Sequence, residues 1–308
     1  MSDGTTEATP KARVSSWRTA IPWWVKITAK VALSRLPVSG RVWQQLRIFS
    51  PGDMLLPDYA IGVFRAHYQR AGRPAPGFTY LELGPGDSLA TAAVAWAHGA
   101  AGGWLVDAGA YAARDIDLYR PLLDRLAEQH EALGLLRDVR GLKDCGSVAE
   151  LLERTGCRFR ENGLADLKAI PEGSIDFVLS QATLEHVPRA EFAATMRELY
   201  RLMKPGAASS HQIDFKDHLG GSLHNLHFSE GFWEKPWFAR RSGFYTNRLQ
   251  LSDVLRDMAA AGFAVEIVQK ETWDALPVEK SRLAMPFRER SDEDLKTKSA
   301  ELIAKKHA

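Results

Sequence analysis

Phe78-Thr79-Tyr80-Leu81-Glu82-Leu83-Gly84-Pro85-Gly86-Asp87-Ser88 is the stretch on which the fold turns. An apolar run that ends in glycines and opens into the small-residue segment Ala90–Ala97 reads as strand, turn and helix. Glycine lacks the Cβ that would hold a ligand away from the backbone, and a following helix N-terminus favours negative charge. Alone, Gly-Pro-Gly is also the composition of a tight turn. The next apolar run, Gly103–Val106, ends at Asp107, about 20 to 25 residues after the turn, the spacing at which a carboxylate reaches ribose hydroxyls. A third run, Ile175–Ser180, carries Asp176 near its start and leads into Leu184-Glu185-His186-Val187.

Outward from this centre, strand-like runs at Phe78–Leu83, Gly103–Asp107, Cys157–Phe159, Ile175–Ser180, Ser209–Phe215 and Ala264–Glu271 alternate with helix-period segments. Those segments lie near 88–98, 117–137, 146–155, 189–203 and 250–261, with a further helix over Tyr59–Gln69. The alternation predicts an α/β fold with a mainly parallel sheet and helices on both faces. Residues 1–15 read as a disordered tail, 16–76 as an N-terminal helical lid or extension, and 77–275 as the main domain. Within that domain, 219–248 reads as a substrate-side insertion, and 276–308 as a charged tail, solvated or frayed toward its end.

Composition narrows the function classes. Charged residues make up 25% of the 308-residue chain and the net charge is +2, so a nucleic-acid partner is not expected. Cys145 and Cys157 form no disulfide or zinc pattern, which fits a reducing cytoplasm. No run is long enough to span a membrane. Between Glu7 and Asp53 there is no carboxylate, while Trp23-Trp24 lie among Lys26, Lys30, Arg35 and Arg41. Residues 16–50 therefore suit either a lid across the sites or a peripheral membrane contact, the lid being favoured.

The ordered set Glu82-Leu83-Gly84-Pro85-Gly86, Asp107, Pro171–Asp176, Leu184–Val187 and Leu202-Met203-Lys204-Pro205-Gly206 resembles the class I S-adenosylmethionine (SAM) dependent methyltransferases, in particular the group with a type 11 methyltransferase domain. The resemblance spans roughly 78 to 270 and implies a Rossmann-like seven-stranded sheet. It implies SAM as cofactor and S-adenosylhomocysteine (SAH) as product. Glu82 would lie near the methionine amino end, with Gly84, Gly86, Asp87 and Ser88 in the turn beside it. Asp107 would accept the ribose hydroxyls, and Ala108, Leu164 and Ala165 would flank the adenine. Ser180 and Gln181 would line the methionine side. Many relatives carry an acid where Leu164 stands, and Asp166 is the substitute at hand. Asp87 occupies a position where a third glycine is common.

A hydroxyl acceptor must lose its proton, and histidine is the usual base. His211 is the candidate, with Asp214 or His186 orienting it. Strand alternation puts His211 and Asp214 on opposite faces unless the strand ends between them. The insertion supplies His218, His227, Trp233, Tyr245, Asn247 and Arg248 as candidate acceptor contacts; packing is the competing role for each. His211–His218 and Ser242–Arg248 together resemble a narrower bacterial group linked to surface-polysaccharide and glycan biosynthesis, which implies a sugar or glycan hydroxyl as acceptor. A metal held by His211, Asp214 and His218 is the disfavoured reading, since the spacing matches no ligand pattern. An N- or C-methyltransferase of a small metabolite, or a non-catalytic SAM-binding subunit, are the alternatives. Oligomeric state is not encoded in any of these features.

Overall fold

In the computed structural model, residues 53–241 and 244–307 are described; the expectations for 1–15 and 16–50 lie outside them. Strands β1 (Thr79–Leu83), β2 (Gly102–Val106), β3 (Cys157–Arg160), β4 (Ile175–Gln181), β5 (Met203–Asp214), β6 (Ala264–Thr272) and β7 (Thr297–Lys305) form one sheet in the order β3-β2-β1-β4-β5-β7-β6. All neighbours from β3 to β5 pair in parallel, and β7 runs antiparallel between β5 and β6. The predicted Rossmann-like, mainly parallel seven-stranded α/β fold is therefore the observed one. Chain connections leave β1 toward β2 on one side and reach β4 on the other. That reversal opens a crevice at the carboxyl ends of β1 and β4, where ligands of such sheets bind.

Helices cover both faces. On one lie α1 (Pro57–Arg70), α2 (Thr91–Ala97), α3 (Arg120–Glu128) and α4 (Val148–Arg154), packed on Tyr80, Leu105, Phe177 and Leu179. On the other, α5 (Leu164–Ala169), α6 (Arg189–Leu202) and α9 (Leu251–Ala260) pack on Leu81, Leu83, Val106, Val178 and Ile213. Odd and even strand positions thus feed two separate cores, as a period of two requires. The helix expected at Tyr59–Gln69 exists as α1, but it is no lid. Its Ala60, Ile61, Val63, Phe64, Ala66 and His67 are buried in the first core.

One strand boundary differs markedly from expectation. β5 starts at Met203, six residues early, through Lys204-Pro205-Gly206; the proline lacks a donor, and the ladder with β4 shifts register there. Lys204 donates to both oxygens of Asp176 at 2.8 Å, and Asp176 also accepts from the Thr79 amide at 2.9 Å. These two residues tie the amino ends of β1, β4 and β5 together, far from the crevice.

The larger correction concerns the C-terminal segment. Residues 297–305 are neither solvated helix nor frayed end but strand β7, with Ala300, Leu302 and Ala304 buried in the second core. Alternation of Ala300, Leu302 and Ala304 with Glu301, Ile303 and Lys305 was the available signal, muted because two of the three inward residues are alanines. The insertion is likewise not a loose flap. α7 (Glu230–Trp233) and α8 (Pro236–Arg241) gather Leu219, Trp233, Phe238, Phe244 and Tyr245 into a small core, while Leu223 and Leu226 pack on Leu283, Phe287 and Leu295. The insertion and the segment before β7 therefore bury each other.

Candidate active site

The turn after β1 holds its shape through backbone geometry. Gly84 (φ 73°) and Gly86 (φ 68°) both sit in the left-handed region that side chains disfavour. A Cβ on Gly84 would overlap Thr183, whose hydroxyl donates to the Gly84 carbonyl at 3.2 Å. At Gly86 nothing lies within 4 Å of where a Cβ would stand. One glycine is thus required for packing against the segment after β4, and the other leaves open space beside the backbone.

Around that space stand carboxyl groups short of partners. Glu82 is 2% exposed; one oxygen accepts from the Thr91 hydroxyl at 3.2 Å, and the other has no hydrogen-bond partner. Burial, reinforced by nearby Asp107, pushes its pKa up to about 8 against the opposing pull of Thr91. Asp87, in the turn itself, also has a buried oxygen without a partner, and burial raises it to about 6. A buried carboxyl and a half-buried one, each with an oxygen short of a partner, are what the ammonium end of SAM would meet, so the residues present fit that cofactor. Asp107 accepts from the Gly86 amide at 2.9 Å and the Ala108 amide at 2.6 Å, so the acid that would take the ribose also fixes the turn.

The residues expected around the adenine lie together. Gly163 donates to the Asp107 carbonyl at 2.8 Å, which brings Leu164 and Ala165, the first residues of α5, beside Ala108. Asp166, named as a substitute for the missing acid, accepts with one oxygen from the Asn162 amide at 2.8 Å and from the Asn162 side chain at 3.1 Å. Ser88 does not reach the ligand space either. It is fully buried and accepts from the Ala90 amide at 3.1 Å, shaping the entry to α2.

Strand alternation divides the remaining candidates. Gln181 lies on the α1 face, where its side-chain oxygen meets His67 Nε2 at 2.9 Å, while Ser180 and His211 lie on the other face with Oγ and Nδ1 2.7 Å apart. Ser180 therefore supports His211 through its hydroxyl. The proposed orienters of His211 are engaged elsewhere. Asp214 accepts from the Lys216 amide at 2.9 Å, and His186 Nδ1 meets the Tyr245 carbonyl at 3.1 Å while its ring stacks on His218 at 4.9 Å. His211 is 1% exposed, and burial pulls its pKa down to about 4, so the ring is neutral at physiological pH. No group of three or more His, Cys, Asp or Glu side chains among the described residues could hold a metal ion, so His211, Asp214 and His218 do not converge as ligands.

Most of the insertion candidates serve packing. Trp233 is fully buried and donates its indole N–H to the Thr246 carbonyl at 2.8 Å. Tyr245 donates to Glu234 at 2.8 Å. Asn247 donates to the carbonyls of Leu184 and Val187 at 2.8 and 2.9 Å, clamping the segment after β4. The Arg248 guanidinium lies between the rings of Trp233 (5.2 Å) and Phe287 (5.1 Å) and donates to the Phe228 carbonyl at 2.7 Å. His227 sits in a 3-10 turn with its ring 5.6 Å from His224. His218 is exposed and stacks on His186.

Four residues near the crevice were not singled out from sequence: Tyr59, His67, Thr183 and Glu185. Glu185 is 4% exposed with neither carboxylate oxygen hydrogen-bonded. Burial, with Asp214 adding to it, holds its pKa well above the usual range. The other three meet partners distant in the chain, Tyr59 and His67 at Gln181 and Thr183 at Gly84.

Residues 81–209 match the sequence family described as a methyltransferase domain. Solved structures similar to this chain include the YcgJ protein from Bacillus subtilis, 14% identical over 82% of this chain and 99% of that one, with a TM-score of 0.43. An arsenic(III) S-adenosylmethionine methyltransferase from Chlamydomonas reinhardtii is 15% identical over 76% of this chain and 65% of its own, at 0.40. Phosphoethanolamine N-methyltransferase 2 from Haemonchus contortus is 14% identical over 83% and 59%, at 0.42. None of the curated proteins matches this chain. Residues 81–209, which hold the strands that border the crevice, are thus a methyltransferase domain. No described helix is long and apolar enough to cross a membrane.

A proton-linked prediction arises here. Glu82 has a folded-state pKa of about 8 against an ordinary 4.5, so in cofactor-free protein it is protonated below about pH 8. Its contribution to stability is present below pH 4.5 and is lost as pH rises from 4.5 to 8. An ammonium placed against it favours the anion, so binding SAH at pH 7 should release roughly one proton. Calorimetry in buffers of differing ionisation enthalpy measures this; the release should vanish in Glu82→Gln. Buffer-independent heats in the wild type would refute it.

Proposed function

We propose that this methyltransferase acts on a hydroxyl oxygen of a small-molecule acceptor, a sugar or glycan hydroxyl being the favoured class, with His211 as general base. The carrying observation is the state of His211: a neutral ring near the carboxyl end of β5, with Nδ1 against Ser180 and no described residue hydrogen-bonded to Nε2. SAM supplies an electrophilic methyl on sulfur, so the chain has to align the acceptor and take its proton. For His211 to do so, Nδ1 carries the hydrogen and donates to Ser180, which leaves Nε2 as the accepting lone pair. A ring with pKa near 4 stays unprotonated down to acid pH, so this base does not switch off between pH 6 and 8.

A second reading, methylation of an amine, is favoured by Glu185. Two carboxylate oxygens without partners, close to Asp214, suit an acceptor that carries positive charge or sheds a proton from nitrogen. Radiolabelled SAM screened against glycans, nucleotide sugars, phenols and amines separates the two. On a hydroxyl acceptor, His211→Ala should keep SAH affinity and lose about 100-fold or more in turnover. Full activity of His211→Ala, with loss in Glu185→Gln on an amine, would replace the first reading with the second. Peripheral membrane contact through residues 16–50 stays part of the proposal for a lipid-carried glycan. Unchanged liposome binding after their removal would end it.

A further inference from the structure

We propose that His67 is a positioning residue, fixing the Gln181 amide so that its nitrogen, not its oxygen, is offered to the crevice between β1 and β4. The inference rests on the methyltransferase reading of that crevice and adds a residue from outside the matched domain.

His67 lies on the buried stripe of α1, fully shielded from solvent, one helical turn beyond Phe64. Its Nε2 is 2.9 Å from the Gln181 side-chain oxygen and its Nδ1 is 2.8 Å from the Ser210 hydroxyl. An amide oxygen only accepts, so Nε2 carries the hydrogen; the Ser210 hydroxyl then donates to Nδ1. Both ring nitrogens are satisfied in one tautomer. Burial, with Arg70 adding to it, pulls the ring down to about 3, so it stays neutral and the arrangement does not titrate near neutrality.

The consequence falls on Gln181. The two ends of an amide have nearly the same shape and opposite hydrogen-bonding character, so an unheld glutamine flips at little cost. With its oxygen held by His67, Gln181 has only its NH2 end left for the crevice, where Tyr59 at the start of α1 also hydrogen-bonds the side chain. Gln212, its register partner on β5, has a buried side-chain oxygen without a partner. The two strand ends therefore present a donor and an acceptor side by side. A flipped Gln181 would present two acceptors. An isolated histidine on an apolar helix face would cost more than a leucine; tied at both nitrogens, it specifies one geometry.

The test uses SAH as probe, calorimetry as readout and a double-mutant cycle as logic. Gln181→Ala and His67→Leu should each weaken SAH binding about tenfold, the scale of one net hydrogen bond. The double variant should bind no more weakly than Gln181→Ala alone, and His67→Gln, which keeps a donor near Nε2, should restore binding to within about threefold of wild type. Wild-type-like binding by His67→Leu, or losses that multiply in the double variant, would overturn the proposal. Should His67→Leu not fold, long-range proton–nitrogen spectra of the wild type decide. A proton on Nε2 of His67 supports the proposal, and one on Nδ1 overturns it. Absence of SAH binding by the wild type would instead bring down the methyl-donor reading itself.

Discussion

Removing residues 297–308 is expected to abolish the cooperative fold. β7 pairs with β5 over Ala208–Asp214 on one side and with β6 over Ala264–Thr272 on the other. Without it β6 has no place in the sheet and β5 becomes a raw edge. Loss of buried Ala300, Leu302, Ile303 and Ala304 alone removes several kcal/mol, at about 1 to 3 kcal/mol for each larger apolar side chain. The unmade ladder adds about 1 kcal/mol per hydrogen bond, and a domain has only about 5 to 15 kcal/mol to lose. Urea denaturation followed by circular dichroism should show no cooperative transition. A truncated chain with a wild-type transition would refute the role given to β7. As a graded control, Leu302→Ala should cost about 2 to 5 kcal/mol and leave the transition cooperative.

Asp107→Ala is expected to weaken SAH binding by about 100-fold or more while leaving the protein folded. Hydrogen bonds to a charged group contribute about 1.5 to 3 kcal/mol each, and the ribose offers two hydroxyls. The same carboxylate accepts from Gly86 and Ala108, so its removal also loosens the turn that borders the open space at Gly86. Burial raises the Asp107 pKa and the two backbone donors oppose that rise. Asp107→Asn keeps the size but loses charge, and should fall between the wild type and alanine. Calorimetric affinity within threefold of wild type for Asp107→Ala would remove Asp107 from the cofactor site.

The candidate cofactor turn was legible in sequence because it is built locally. Glu82, Gly84 and Gly86 lie within five residues, and Asp107 follows after one helix, so chain spacing alone sets their geometry. Ser88 is the exception, since whether a turn hydroxyl faces a ligand or the next helix depends on burial that spacing does not report. The acceptor side was legible only as composition. Trp233, Tyr245, Asn247 and Arg248 were recognised as an aromatic and polar insertion, yet they hold one another and the segment after β4.

By itself, then, the sequence determined the α/β class, the positions of the first six strands and the glycine turn followed by Asp107, because periodicity and short spacing are properties of a single segment. Tertiary structure alone decided that 297–305 is a strand, that α1 is core, and that Ser180 turns away from Gln181 to His211. It also joined His67 to Gln181 across 114 residues and left the Glu185 carboxyl buried without a hydrogen bond. Those outcomes depend on which face of a strand meets which helix. That pairing is settled only when both cores close.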